Sequence, residues 1–312
     1  MNMASIGKPP LALIAGPTAS GKSALALALA ERAGGTIINA DSAQVYRDLR
    51  VVTARPSPEE EARIPHRLYG YRDGAEICSS AEWADDAKAV IAEVHAQGRL
   101  PILVGGTGLY IRTLLEGIAP VPPIDAGVRE AVRALADPHA ALVREDAEAA
   151  ARIRPNDRAR TMRALEVVRS TGRPLKAWQA DKVGGIGEAV ALAPLVLLPP
   201  RAWLTERCDR RFEAMFSDGG IAEVAALTAR PLPALAPVLR AIGVKEIAAY
   251  LRGEMSREAA LAAGRIATRQ YAKRQYTWFN RQPPADWPRF TAPLDCDALA
   301  DALALFGFDE GR

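Results

Sequence analysis

The sequence predicts an α/β fold, a parallel sheet flanked by helices and interrupted by an inserted all-helical domain. Three observations lead there. Apolar strand-type runs alternate with helix-forming segments between residues 11 and 104. A block from Val128 to about Gln179 is wholly helical in composition, broken near Pro155 and Gly172. One further apolar run, Leu195–Leu198, follows that block. Such alternation argues for parallel strands joined by helical crossovers, and the returning strand makes the helical block an insertion. The expected boundaries are a core of residues 1–119 and 189–312, and an insertion of residues 120–188.

Each element has a local reason. Leu11-Ala-Leu-Ile-Ala15 is a short buried-type strand running into Gly16. Ser23–Arg32 is rich in Ala and Leu, both strong helix formers. Thr36-Ile-Ile-Asn-Ala40 carries β-branched residues and reads as a second strand. Between Ala81 and Gln97, Trp83, Ala87, Val90 and Val94 fall on one helical face. Leu100–Val104 is a third strand, stopped by Gly105-Gly106. Ala119-Pro-Val-Pro-Pro123 reads as the linker into the insertion, and Thr205–Asn280 is helical again, with breaks near Ser217–Gly220 and Arg230–Pro237.

Composition limits the function. The chain has 312 residues, 49% hydrophobic and 25% charged, the profile of a globular and not a disordered protein. No run approaches the length of a membrane span. Cys78, Cys208 and Cys296 are too few and too scattered for a disulfide framework, and His66, His95 and His139 form no metal-ligand cluster with them. A soluble cytoplasmic protein is expected. Forty Lys and Arg against 37 Asp and Glu leave a net charge of only +3, which alone would argue against a nucleic-acid partner. The charges are unevenly spread, however. Residues 56–95 hold four basic and nine acidic side chains, 152–173 hold seven arginines against two acids, and 265–281 hold five basic residues and no acid.

The strongest motif is Gly16-Pro17-Thr18-Ala19-Ser20-Gly21-Lys22-Ser23, a phosphate-binding P-loop in its strand–loop–helix setting. Its glycines let backbone N–H groups close on phosphate oxygens, and the following helix adds its N-terminal dipole. Lys22 supplies a positive charge, and Ser23 a hydroxyl for Mg²⁺. The fold is therefore expected to be P-loop NTPase-like. A hydrolytic Mg²⁺ carboxylate is not evident at the end of Leu100–Val104; Asp41, after the second strand, is placed instead to touch a second substrate. Two rival readings share this loop. A small-molecule kinase would use it for ATP, and an RNA-binding GTPase-like module would need a guanine-specifying Asn-Lys-x-Asp, which the sequence lacks.

Further motifs extend the loop into a recognisable set: Ile38-Asn-Ala-Asp41-Ser-Ala-Gln44-Val-Tyr46-Arg47, Gly105-Gly-Thr107-Gly-Leu-Tyr110, Ala151–Asp157, Arg163–Val167, Ile242-Gly-Val-Lys245-Glu246 and Thr268–Trp278. Together these resemble the bacterial tRNA dimethylallyltransferases over nearly the whole chain. The resemblance implies transfer of a dimethylallyl group from dimethylallyl diphosphate to N6 of adenosine 37, beside the anticodon, in tRNAs reading codons that begin with U. It implies Mg²⁺ dependence, no membrane, and an insertion that helps hold the anticodon stem-loop; a monomer is the expected state. It makes Asp41 the general base and Thr107 a catalytic hydroxyl, and brings Arg211 to the P-loop as a further diphosphate ligand. For tRNA it implicates Asp41, Ser42, Ala43, Gln44 and Thr107 at the flipped nucleotide, and Arg129, Arg160, Arg163, Arg240, Lys245, Lys273, Arg274 and Gln275 elsewhere.

Val52, Arg55, Val244 and Asn280 depart from the family's usual residues, and none of them removes a reacting group. Arg265, Arg269 and Lys273 recur at i, i+4 and i+8, a single helix face expected to meet RNA phosphates, while Trp278 is expected in the core.

Overall fold

The computed structural model describes residues 7–217 and 219–307, without the side chains of residues 296 and 297. Six strands, β1 (Pro10–Ala15), β2 (Gly35–Asn39), β3 (His66–Arg67), β4 (Leu100–Gly105), β5 (Ala191–Leu197) and β6 (Arg289–Phe290), form one sheet in the order β3-β2-β4-β1-β5-β6. Every pairing is parallel. The chain separates into two compact units, Met1–Leu114 with Gly187–Arg312, and Leu115–Ile186.

In the first unit the central strands are buried on both faces, so β1, β2 and β4 read as nearly unbroken apolar runs. Helices α1 (Lys22–Ala33), α2 (Pro58–Arg63), α3 (Ser80–Ala96) and α4 (Gly108–Glu116) connect them. Helix α3 starts with a capping box between Ser79 and Glu82, and buries Trp83, Ala87, Val90 and Val94. The strand after the insertion is longer than its apolar run suggests. It begins at Ala191 and contains Pro194, tolerated because β6 pairs only with Val196 and Leu197 and leaves β5 an edge strand at the proline. The two-residue strands β3 and β6 carry too little pattern to be read from sequence.

The second unit holds five helices, α5 (Ala126–Arg133), α6 (Pro138–Glu145), α7 (Ala147–Arg152), α8 (Arg158–Thr171) and α9 (Leu175–Ala180). The expected breaks at Pro155 and Gly172 are present, but two more divide the block. Asp137 and Asp146 each accept a hydrogen bond from the backbone N–H three residues on and start a new helix there, the first with Pro138 in its opening turn. Val132, Leu142 and Leu165 form this unit's own core.

The chain then returns to the first unit with α10 (Arg201–Ser217), α11 (Gly220–Thr228), α12 (Val244–Leu251), α13 (Arg257–Arg281) and α14 (Cys296–Ala304). Helix α13 packs along α10, with Phe212 of α10 filling the groove at Gly264. The parallel order β2-β4-β1 sets the carboxyl ends of three adjacent strands side by side. Asp41, Gly105-Gly106 and Gly16 all lie at that edge.

Candidate active site

Turning from β1 into α1, the chain takes backbone conformations that most side chains resist. Gly16 has φ 153°, and a Cβ on it would lie 2.6 Å from the Leu197 carbonyl oxygen; Gly21 has φ 98°, and a Cβ there would lie 2.6 Å from Leu294. Ala19 adopts φ 63°, uncommon for a residue other than glycine. The loop is closed by a clasp from far along the chain. Gln275 of α13 accepts from Thr18 N–H at 2.8 Å and donates to the Gly106 carbonyl at 2.9 Å. One side chain thus joins the ends of β1 and β4.

The charges follow from this packing. Lys22 donates to the Pro17 carbonyl at 2.7 Å. Its pKa is pulled down to about 8, chiefly by burial and further by Arg211, against the opposing pull of Asp41. Arg211 donates to the Thr18 hydroxyl at 3.0 Å, and Arg207, one helical turn earlier, donates to the Ala19 carbonyl at 2.9 Å. Asp41 is held by its neighbours. Asn39 accepts from Asp41 N–H at 2.8 Å and donates to the Asp41 carbonyl at 3.0 Å, while the carboxylate accepts from Ala43 N–H at 3.0 Å. Burial raises the Asp41 pKa, and the Ala43 N–H, Lys22 and Arg211 oppose that rise. The Thr107 hydroxyl accepts from Ser42 N–H at 2.9 Å and lies 3.2 Å from the Ser42 hydroxyl, so it fixes the segment after Asp41.

Two cavities meet here. One, about 250 Å³, is lined by the P-loop from Thr18 onward, by Arg207 and Arg211, and by Asp41, Gln44, Thr53, Ala54 and Tyr69. The other, about 290 Å³, is lined by Ser42, Ala43, Tyr46, Cys78, Met215, Val238, Ile242, Thr268 and Tyr271 among others, and Arg240 stands at its wall. Asp41, Thr18, Thr53 and Arg211 line both. Asp41 is the largest influence raising the Tyr271 hydroxyl's pKa.

Several expected residues stand elsewhere than their assigned roles require. Gln275 is buried at 6% exposure with both ends of its amide engaged, so it is a brace and offers nothing to RNA. The Gln44 amide donates to the Thr53 and Ala54 carbonyls, at 2.9 and 2.8 Å, leaving no donor for a base edge. Arg265 and Arg269 do not form an open phosphate-binding face with Lys273: they pair with Glu213 and Asp209 of α10 and tie the two helices together. Trp278 is only half-buried, against Gly108; the fully buried ring is its neighbour Phe279. Arg129, Arg160, Arg163, Arg240, Lys245, Lys273 and Arg274 are exposed. Sequence reasoning missed Arg207, Tyr69 and Asn39. The Arg207–Arg211 spacing, one helical turn beside a P-loop, is the signal that would have found Arg207.

A glycine-rich phosphate loop after the central strand, beside a carboxylate on a neighbouring strand end, defines a P-loop protein that handles a phosphorylated substrate. A family model described as IPP transferase matches residues 44–282. The chain is 63% identical over 304 residues to a tRNA dimethylallyltransferase of Erythrobacter litoralis, covering 95% of this chain and 96% of the relative. It is 61% identical to one of Sphingopyxis alaskensis, covering 95% and 97%. Among solved structures, a full-length tRNA isopentenylpyrophosphate transferase of Bacillus halodurans matches with TM-score 0.70 and 34% identity, covering 96% of this chain and 95% of that one. A eukaryotic dimethylallyltransferase captured acting on tRNA matches with TM-score 0.75 and 28% identity, covering 86% and 69%. The chain belongs to the IPP transferase family, that of the tRNA dimethylallyltransferases, and is a tRNA-modifying prenyltransferase.

Proposed function

We propose that the P-loop cavity takes the diphosphate of dimethylallyl diphosphate, and that the adjoining cavity takes the adenine of adenosine 37 flipped from the anticodon loop. The observation that carries this reading is that Asp41 lines both cavities, beside Lys22 and Arg211. An exocyclic adenine amine is a weak nucleophile, because its lone pair is delocalised into the ring. Asp41 accepts the N6 proton as nitrogen bonds to the donor's first carbon; the carbon–oxygen bond breaks and diphosphate departs. Lys22, Arg211 and the loop amides hold the charge that develops on the leaving group. Thr107 keeps Ser42 and Asp41 in position.

Ser23 suits a Mg²⁺ ion, since it is exposed, lines the P-loop cavity and has a hydroxyl that makes no hydrogen bond among the described residues. The described residues include no group of three or more His, Cys, Asp or Glu able to hold a metal by themselves. Phosphate oxygens and water would then supply most ligands, as is usual for Mg²⁺. When bound, the ion neutralises diphosphate charge. The exposed cations Arg129, Arg160 and Arg163 of the insertion, and Arg240, Lys245, Lys273 and Arg274 of the core unit, would meet tRNA phosphates. No helix among the described residues is long and apolar enough to cross a membrane; we propose that the enzyme is cytoplasmic and acts as a monomer.

Incubation with unmodified tRNA, Mg²⁺ and labelled dimethylallyl diphosphate tests the reading. Label in tRNA at the adenosine beside the anticodon is expected. ATP-derived phosphate on a small metabolite, with no label in tRNA, would replace it with a kinase.

A further inference from the structure

The wall of the P-loop cavity that faces the loop is made by Gln44, Thr53, Ala54 and Tyr69. Two of its three side-chain donors are committed within the protein. The Gln44 amide donates to two backbone carbonyls, and the Thr53 hydroxyl donates to the Leu49 carbonyl at 2.6 Å. Ala54 has no donor. The Tyr69 hydroxyl makes no hydrogen bond among the described residues, and Tyr69 lines the same cavity as Lys22, Ser23, Arg207 and Arg211.

Its backbone is fixed with unusual care. Leu68 adopts φ 63° and Gly70 φ 56°, so Tyr69 sits between two left-handed residues, the first of them strained because it carries a branched side chain. Three neighbours hold this turn. Asn39, fully buried, donates to the Leu68 carbonyl at 3.0 Å and also to the Asp41 carbonyl. Gly70 N–H donates to the Gln44 carbonyl at 2.9 Å, and the Arg55 guanidinium packs against Gly70. One buried amide therefore sets Asp41 and the Tyr69 turn in a common register. The ring itself rests edge-on against His66 at 5.6 Å and on the core beneath α1. Strained turns of this kind cluster at ligand sites, and this one borders the phosphate cavity.

We infer that Tyr69 is a donor-binding residue, whose hydroxyl donates to a phosphate oxygen of the prenyl diphosphate from the side opposite the P-loop. Burial and the nearby charge of Asp41 hold the phenol in its protonated form well above neutral pH, so it remains a donor throughout the working range. The inference rests on the proposed placement of diphosphate in this cavity and adds a ligand that no part of the P-loop motif contains. Because no group among the described residues competes for the hydroxyl, its loss orphans none of them when the cavity is empty. The effect should fall on the bound state alone.

Tyr69→Phe keeps the ring packing and removes only the hydroxyl. Affinity for inorganic diphosphate with Mg²⁺, measured by calorimetry on the full chain, should fall about tenfold, the worth of one hydrogen bond to a charged group. The KM for dimethylallyl diphosphate should rise in parallel, with the KM for tRNA and the thermal midpoint unchanged. Unchanged diphosphate affinity in Tyr69→Phe, while the wild type binds diphosphate and prenylates tRNA, overturns the inference and leaves the proposed function standing. A wild type that neither binds diphosphate nor labels tRNA overturns both.

Discussion

The two cavities that share Asp41 are built by opposite means. The P-loop cavity takes one side from consecutive residues, Thr18 to Ala24, whose backbone is set by Gly16 and Gly21. Its chemistry is charge and N–H groups. The adjoining cavity is assembled from side chains of separate segments, reaching from Thr18 through Cys78 and Met215 to Tyr271, and its walls are richer in apolar groups such as Val52, Met215, Val238 and Ile242. A phosphate is recognised by geometry that a single contiguous motif can encode. A planar base beside a prenyl group needs walls of shape and apolar surface, which distant segments supply only after folding.

Substitutions separate these contributions. The largest effect is expected from Asp41→Asn, which keeps the shape and removes the proposed general base: turnover should fall by about 10²–10⁴-fold, while diphosphate binding persists. Loss of diphosphate binding together with turnover would mean that Asp41 serves the phosphate cavity alone. In the wild type, the raised Asp41 pKa should shift the acid limb of the rate profile upward from where an ordinary aspartate would put it, with rate rising as pH rises through it. A profile flat down to pH 4 would contradict that direction.

Gln275→Leu comes next. It leaves Thr18 N–H and the Gly106 carbonyl without a partner, at roughly 1–3 kcal/mol for each buried group. Urea unfolding should report that loss, and the KM for the prenyl donor should rise because the loop is no longer clasped. An unchanged midpoint would show that water replaces the amide.

A smaller effect concerns Lys22 alone. With its pKa near 8, the ammonium loses its proton as pH rises past that value, so diphosphate affinity should fall over the same range and binding near pH 8 should take up a proton. Calorimetry in buffers of different ionisation enthalpy measures this. The same depression means that the unfolded chain binds more protons than the folded one between about pH 8 and the ordinary lysine value, so this group's contribution to stability rises with pH across that window.

The smallest effect lies outside both cavities. Lys273→Glu should weaken tRNA binding modestly and lower its salt dependence by about one unit of slope, leaving the donor KM unmoved. Arg269→Glu should also destabilise the fold, because Asp209 loses its partner.

What was legible in the sequence follows the same division. The P-loop, the strands β1, β2 and β4 and the buried face of α3 are local patterns, and the structure realises them. Arg211 could be brought to the loop by resemblance, whereas Arg207 beside it had no motif to announce it. The basic stripe of α13 was misread for a physical reason: the carboxylates that occupy Arg265 and Arg269 lie 52 and 60 residues earlier, on a helix whose packing no local pattern reveals. Gln275 was legible as a motif member but not as a clasp, since its partners are the ends of two other elements. The Asp137-Pro138 helix start, by contrast, was written locally and was passed over within a long alanine-rich run.

The two ends of the insertion are joined by a short bridge. Ile118 and Val183 exchange both backbone hydrogen bonds, each 3.0 Å, in an isolated antiparallel bridge, and Lys182 pairs with Glu116 at 2.5 Å beside it. Residues 119–182 therefore leave and re-enter the chain's path at neighbouring positions. In topological terms they amount to the tip of a hairpin, whose length the strands on either side do not sense. Such a junction lets a helical module be lengthened, trimmed or exchanged while β4 and β5 keep their register.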